Sequence, residues 1–510
     1  MFSISCRAPV FFYLEPMKKV LTLIALVCSI SSFSQNEFIA YTATGKGVST
    51  AFVSDYHCLG INPANLGWKQ YDKKSVTMGS SEFGLSIYSE SLAKQDLRDN
   101  IWGAVRSGSL DSLSNEEKIA AAQGFASDFA FNWDYNMFGI SYQNEKFGGI
   151  AFSLRSRATW ASSFDNTFTD ILFRGKFSNY FDSLSYFNGM DTVMIANDGS
   201  LTAEQNANVI SGHASVPLNI SDLVGESYMR LSLNREYHFG YGRKLFGKDT
   251  SFALYAGVGA KYIQGIAMMD LSSDGNSYQM ISAFSPGFDI DYGAVATGNP
   301  SAIAGQAQNF WRSPVGTGFG LDFGVSARLF KNLHLAASVT NIGSMTYTGN
   351  VYEGVDTAVF SYSSAGLQNM NIANSVPELL EETGLFKLRG VEKTKISLPG
   401  TMRLGAKLDL GQIARVGVDV VAPFDRTLPG SVNGLAWGLG GEVALAQGQI
   451  YLMGGVTGGG GYDIQVPLGI NFVLGGGAYE VGIASRDAVT FFAKNTPTVS
   501  AAFGFARVRF

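Results

Sequence analysis

Past residue 35 many stretches of the chain alternate apolar and polar positions with period two, and the two parities differ in kind. From Gly318 to Leu329 one parity reads Phe319, Leu321, Phe323, Val325, Ala327, Leu329, and the other reads Gly318, Gly320, Asp322, Gly324, Ser326, Arg328. Such alternation marks a strand whose two faces meet different media. After a short turn at residues 330–332 the return strand repeats it, with Leu333, Leu335, Ala337 and Val339 against His334, Ala336, Ser338 and Thr340. The same reading sets Met402, Leu404, Ala406, Leu408 and Leu410 against Arg403, Gly405, Lys407 and Asp409, and Ala414, Val416, Val418 and Val420 against Arg415, Gly417 and Asp419. Charge falls on one parity only.

Reading breaks as turns gives fourteen candidate strands, near 74–88, 126–143, 147–161, 226–245, 249–270, 315–330, 331–346, 398–410, 413–425, 434–445, 449–457, 463–474, 477–487 and 496–510. Brief turns alternate with long excursions around 90–125, 162–225, 271–314 and 347–397. Long and short connections therefore sit at opposite ends of the strands. A soluble sandwich also alternates, but nothing sorts its loops by length. An even strand number with this sorting describes a transmembrane antiparallel β-barrel, and the expected fold class is all-β.

Energetics choose which face meets lipid. With the greasy parity turned inward, Arg328, Arg403, Lys407 and Arg415 would face hydrocarbon, at roughly 2–4 kcal/mol for each basic residue at the midplane. The charged parity is therefore expected inside. Asp322, Arg328, Arg403, Lys407, Asp409, Arg415, Asp419 and Glu442, of mixed sign, are the expected polar network of the lumen. The last strand ends with Ala506, Val508 and Phe510 on one parity and Arg507 and Arg509 on the other. A terminal Phe510 on the lipid side resembles the signal read by outer-membrane assembly machinery, an expected partner together with outer-membrane lipids.

Composition changes the picture in two ways. Among 510 residues 60 are Gly and 13% aromatic, while only 15% are charged, against about a quarter in soluble domains. A net charge of -5 offers no basic surface for nucleic acid. At the N-terminus, Met17-Lys18-Lys19, the apolar run Val20 to Ile30 and Ser32-Phe33-Ser34 read as a secretory signal over 17–34, with 1–16 a misassigned extension. The apolar run is too short for a span needing about 20 residues. Export to the cell outer membrane follows. Of Cys6, Cys28 and Cys58 only the last survives processing, so no internal disulfide is available.

The expected division is therefore 35–73 as an N-terminal plug segment and 74–510 as the barrel. Within the plug, Asn62-Pro63-Ala64 sets a turn, with the Asn62 side chain initiating it and Pro63 fixing φ. A plain turn with no plug is the alternative. In the first excursion Leu97, Ile101 and Val105 have helical spacing, and Ser114 stands three before Glu117 as in a capping box. In the second, Phe164, Phe168, Phe173 and Phe177 suggest an apolar patch through which a ligand enters, ordinary loop packing being the other reading.

Catalytic constellations are missing. His57, His213, His238 and His334 lack metal-ligand spacing, and Gly316-Thr317-Gly318-Phe319-Gly320 opens a strand rather than the helix a phosphate loop requires. Neither enzyme activity nor a cofactor or resident metal is expected. Asp55, His57 and Cys58 stand together as the one remote metal candidate.

Three segments carry a family resemblance: Asn62-Pro63-Ala64 before the first strand; Gly318-Phe319-Gly320-Leu321-Asp322-Phe323-Gly324 leading to Leu333 through Gly343; and Leu398-Pro399-Gly400-Thr401-Met402-Arg403-Leu404-Gly405. In these the chain resembles the FadL-like outer-membrane transporters of hydrophobic compounds, whose relatives include PorV-like secretion-associated barrels. The resemblance implies a fourteen-stranded barrel with an N-terminal hatch and passive uptake of hydrophobic or amphipathic small molecules. The relatives imply the alternative, a non-enzymatic interaction protein whose long loops bind an envelope partner. The long loops here depart from the transporter pattern.

Overall fold

The computed structural model describes residues 40–69, 74–89, 115–303, 312–367, 380, 384–489 and 498–510. The expected signal, the helical spacing of Leu97, Ile101 and Val105, and Ser114 lie outside them. Fourteen strands form the wall: β1 Val76–Ser89, β2 Phe129–Asn144, β3 Gly148–Ser163, β4 Tyr228–Lys248, β5 Phe252–Ser273, β6 Gly316–Leu329, β7 Leu333–Tyr347, β8 Thr401–Leu410, β9 Ala414–Pro423, β10 Ala436–Leu445, β11 Ile450–Gly459, β12 Leu468–Leu474, β13 Tyr479–Ser485 and β14 Thr498–Arg509. Each pairs antiparallel with the next, and β14 returns to β1 with Thr77 opposite Arg509 and Tyr88 opposite Thr498. The sheet is closed. Closure leaves no ladder edge to face hydrocarbon. The last residue takes part in it, since Phe510 exchanges backbone hydrogen bonds with Val76 while its ring stays exposed.

Parity decides what each face touches. On β6, Phe319 is 69% exposed and Asp322 2%; the apolar residues point out and the polar ones in. Met402, Leu404, Val416 and Val418 are likewise exposed, whereas Arg403, Lys407, Asp419 and Glu442 are buried. Among the described residues no helix is long and apolar enough to cross a membrane. Where β6 and β7 lose register at Asp322, the carboxylate accepts from the Asn341 backbone N–H at 2.8 Å, and Asn341 adopts a φ of 61°. Asn tolerates that left-handed conformation better than most residues.

The long connections all leave one end of the barrel and build a second layer there. It contains helices Asn115–Phe125 and Asn166–Arg174 and a four-stranded sheet ordered Ser361–Tyr362, Val209–His213, Ser183–Phe187, Thr192–Ala196. Asp165 caps the second helix by accepting from Thr167 N at 2.7 Å, and Gly175 ends it at a φ of 56°. Upper barrel residues Phe129, Trp160, Met229 and Met269 share one hydrophobic core with these helices. This sheet gave no sign in the sequence pattern, because its strands are only two to five residues long.

Candidate functional site

The site is the barrel interior and what occupies it. Residues 40–68 run through the lumen as short turns, Tyr41–Thr44, Asp55–Cys58 and Pro63–Gly67, and are buried almost throughout. Asn62 caps the last turn by accepting from Ala64 N at 3.1 Å, Pro63 opens it, and Asn62 Nδ2 donates to Ser326 Oγ of β6 at 3.1 Å. Asn65 Nδ2 ties the segment to itself through Thr50 O and Val53 O, both at 2.8 Å. Ala64 packs with Trp68, Ala253 and Tyr255.

Glycines let the wall approach. A Cβ on Gly139 would sit 2.3 Å from the Tyr56 ring, and one on Gly242 would sit 2.3 Å from Pro63 O. Glycine at these inward positions leaves the space that the segment fills.

Charges fasten it. Lys46 Nζ meets Glu442 at 2.7 Å, and Asp419 accepts from the backbone N–H of Ser49 and Thr50 at 2.5 and 2.8 Å. Asp55 pairs with Arg507, which also bonds Glu480 at 3.0 Å; Glu480 in turn pairs with Arg509. On β1, Glu82 accepts from Tyr56 OH at 2.6 Å, His57 Nε2 at 2.9 Å and Asn136 Nδ2 at 2.7 Å. Thr42 Oγ1 lies 3.0 Å from the other His57 nitrogen. Ionised groups held this way in a dry interior need every partner, because an orphaned buried charge is costly.

The sequence-derived residues divide. Asp409, Arg415 and Glu442 form a wall cluster, with Arg415 at 2.8 Å from Glu442 and 3.7 Å from Asp409. Lys407 lies 3.7 Å from Asp409 and stands over the rings of Trp68 and Phe52 at 4.8 and 5.8 Å. Asp419 reaches the segment, where it also accepts from Ser49 Oγ at 3.2 Å, Asp322 pairs with Lys261 at 3.2 Å, and Arg403 is buried on the inward parity. Arg328 corrects the expectation. It sits half-exposed near the β6–β7 turn, opposite the buried His334, and donates to Lys331 O at 3.0 Å rather than to a carboxylate of the network. Phe164, Phe168 and Phe173 are a second correction: they are buried, with rings of Phe164 and Phe168 5.1 Å apart, while Phe177 is half-buried. They are core, since a helix that caps a barrel must bury its apolar stripe.

An open pocket does exist on the outer layer. It has a volume of 480 Å³ and is lined by Ile210, Val359, Phe360, Tyr362, Leu385 and Lys387, a mixture of apolar and polar groups. Within the segment Cys58 is fully buried, and burial holds its thiol well above the ordinary range. Among the described residues no group of acidic, histidine and cysteine side chains has the arrangement of a metal site.

Lys46, Asp55, Glu82, His57, Glu480 and Arg507 escaped the sequence reading as a network. Parity alone marks Glu82, Glu480 and Arg507 as inward. No local pattern marks their partners, which stand up to 452 residues away.

Residues 212–439 match a family of unknown function, DUF5723. No curated protein matches the chain. Solved structures are similar to it, three of which follow. The Pseudomonas putida toluene transporter TodX shows 10% identity over 94% of this chain and 99% of its own, with a TM-score of 0.38. A FadL homologue of Pseudomonas aeruginosa shows 10% identity over 94% and 98%, with a TM-score of 0.36. The monoaromatic hydrocarbon channel CymD shows 9% identity over 92% and 97%, with a TM-score of 0.32.

Proposed function

We propose that the protein is an outer-membrane barrel for passive uptake of hydrophobic or amphipathic small molecules, with residues 40–68 as its hatch. One observation carries this reading: besides pairs of wall side chains, the lumen is filled by residues 40–68, which belong to no wall strand and which the wall holds through side chains. Residues 40–68 contain no strand, so the segment leaves without breaking a strand pair. Inward glycines and the polar contacts from Glu442, Asp419, Arg507 and Glu82 form a seat for it. The pocket beside Phe360 and Tyr362 is the proposed place of capture, taking over the role first given to the buried phenylalanines. Diffusion down a gradient then needs neither a covalent step nor a cofactor.

The reading is tested by deleting residues 36–70 and recording conductance across a planar bilayer. A large rise over the full chain is expected. A channel unchanged by the deletion refutes the hatch. A second reading, a barrel whose outer layer binds an envelope protein, is favoured by the apolar edge strand Thr192–Ala196, in which Met194 is 56% exposed. Mass spectrometry of the lipid extracted from the purified protein separates the two, as bound apolar ligand supports uptake and an empty barrel that retains an envelope protein supports the second.

A further inference from the structure

The outer wall carries a concavity of 590 Å³ across five strands, lined among others by Ile140, Ile150, Phe152, Phe239, Val258 and Leu321. It follows two rows of cross-strand neighbours. One runs Tyr142, Ile150, Tyr241, Val258, Phe323 and the other Ile140, Phe152, Phe239, Ala260, Leu321. Four interstrand steps of about 4.8 Å give a length of roughly 19 Å. Because barrel strands are tilted by about 40°, such a row is not level in the membrane. It starts beside the short β2–β3 turn, with Tyr142 two residues from the end of β2, and finishes at Phe323, six residues above the end of β6. The groove therefore climbs from the short-turn rim into the apolar belt.

Directly behind it the wall glycines Gly149, Gly240, Gly242 and Gly257 leave no room for a Cβ against Leu66, Leu59 and Pro63 of the lumen segment, so the segment backs the wall there. Its low end carries charge. Arg243 follows Tyr241 on the outward parity and is exposed, and its Cβ lies beside Gly148. Lys146, also exposed, is two residues from Gly148 in the turn; Glu145 is its exposed acidic neighbour, and Lys244 is already paired with Asp249. Tyr241 OH donates to Phe147 O at 2.9 Å and their rings stand 5.3 Å apart, which fixes the turn against the strand carrying Arg243.

We propose that this groove is a binding site for one anionic phospholipid of the short-turn leaflet. The acyl chain lies along the two apolar rows and the phosphate meets Arg243 and Lys146. Arginine suits a phosphate through its planar fork of donors, and cations at a membrane rim favour anionic headgroups. The site is independent of what the lumen transports.

Native mass spectrometry of the full mature chain in detergent, titrated with phosphatidylglycerol or phosphatidylcholine, tests it. Retention of one phosphatidylglycerol in preference to phosphatidylcholine is expected, with the preference falling roughly fivefold for each cation removed in Lys146→Gln and Arg243→Gln. Ala260→Trp, which fills the groove from the lipid side, is expected to abolish retention of both lipids without changing heat-modifiable migration of the barrel. Equal retention of the two lipids by the unaltered chain overturns the proposal, and so does undiminished retention in Ala260→Trp. If that variant fails to fold, the charge variants decide alone, since they touch no packed side chain.

Discussion

The lumen and the outer layer are both buried interiors of the same chain, yet polar contacts dominate one and apolar packing the other. In the lumen Lys46, Asp55, His57, Glu82, Asp419, Glu442 and Arg507 are buried in polar contacts around a small apolar cluster that includes Val53, Leu59, Ile61 and Leu66. In the outer layer they are Phe125, Phe168, Ile171, Phe173, Leu223 and Phe386. The wall explains the inversion. A transmembrane barrel spends its apolar parity on lipid, so its inward parity is polar, and whatever fills it must match polar groups one by one. Above the membrane the loops face water and bury grease as any soluble domain does. A lumen built this way is held by discrete contacts that have to be broken together; the outer layer is held by volume.

The largest expected effect lies in the outer layer. Phe168→Ala removes a ring that is 1% exposed and packs near Phe164 and Phe386, a change that costs about 3–5 kcal/mol in a core. Proteolysis of the loops should accelerate strongly while the closed barrel keeps its heat-modifiable migration. Loss of barrel closure along with the loops would show that the two interiors fold as one and would break the comparison.

Next comes the lumen. Asp55→Asn removes the charge facing Arg507 but leaves Arg507 its bond to Glu480, so the loss is that of a charge-assisted hydrogen bond, about 1.5–3 kcal/mol. Cys58 reports it. The thiol is buried and burial disfavours its thiolate, and only the thiolate reacts readily. Maleimide labelling of Cys58 should be negligible in the unaltered chain and should rise about tenfold or more in the variant. Equal labelling of both would mean that the ion pair does not hold the segment.

The sequence revealed these two interiors unequally, and the reason is range. Strand parity is local: a reader of Arg403, Lys407, Arg415 and Asp419 learns their direction from immediate neighbours, and all fourteen strands emerge from alternation and turns. What Asp419 touches is not local, because its acceptor site is filled by Ser49 and Thr50, 370 and 369 residues earlier. The Asn62-Pro63-Ala64 turn was legible from its own chemistry; its seat against Ser326 was not. Phe164 and Phe168 mislead for a different reason. Aromatic residues in a long loop look the same in sequence whether they line a mouth or fill a core, and only the helix Asn166–Arg174 docking on Phe386 decides it. Arg328 fails because parity gives direction and not the acceptor that the side chain meets.

A smaller effect sharpens the contrast within the lumen itself. Asn65→Ala removes the two hydrogen bonds to Thr50 O and Val53 O by which the segment holds its own fold, leaves both carbonyls buried without that donor, and also removes the acceptor of the bond that Ser326 Oγ of β6 donates at 2.7 Å. The expected cost is about 1–3 kcal/mol, and Cys58 labelling should rise less than in Asp55→Asn. A larger rise would mean that the neutral bonds gathered at Asn65, rather than the ion pair of Asp55, set the segment's stability.

The smallest effect belongs to the outer sheet and concerns acid. Asp182 accepts from both the backbone N–H and the hydroxyl of Ser215, and these bonds hold its carboxyl below the ordinary value of 3.8. A carboxylate with a lowered folded value binds its proton less readily than in the unfolded chain. Its contribution is therefore fully present above 3.8 and fades as pH falls through the lower folded value. The carboxylate is solvent-exposed, so the contribution is small and salt-screened. Limited proteolysis across Asp182 to Ser215 should accelerate slightly between neutral pH and pH about 3 in the unaltered chain, and Asp182→Asn should flatten that dependence. A dependence as steep in the variant would assign the acid sensitivity to another of the outer layer's polar contacts, such as Asp170 with Arg174 and Ser178.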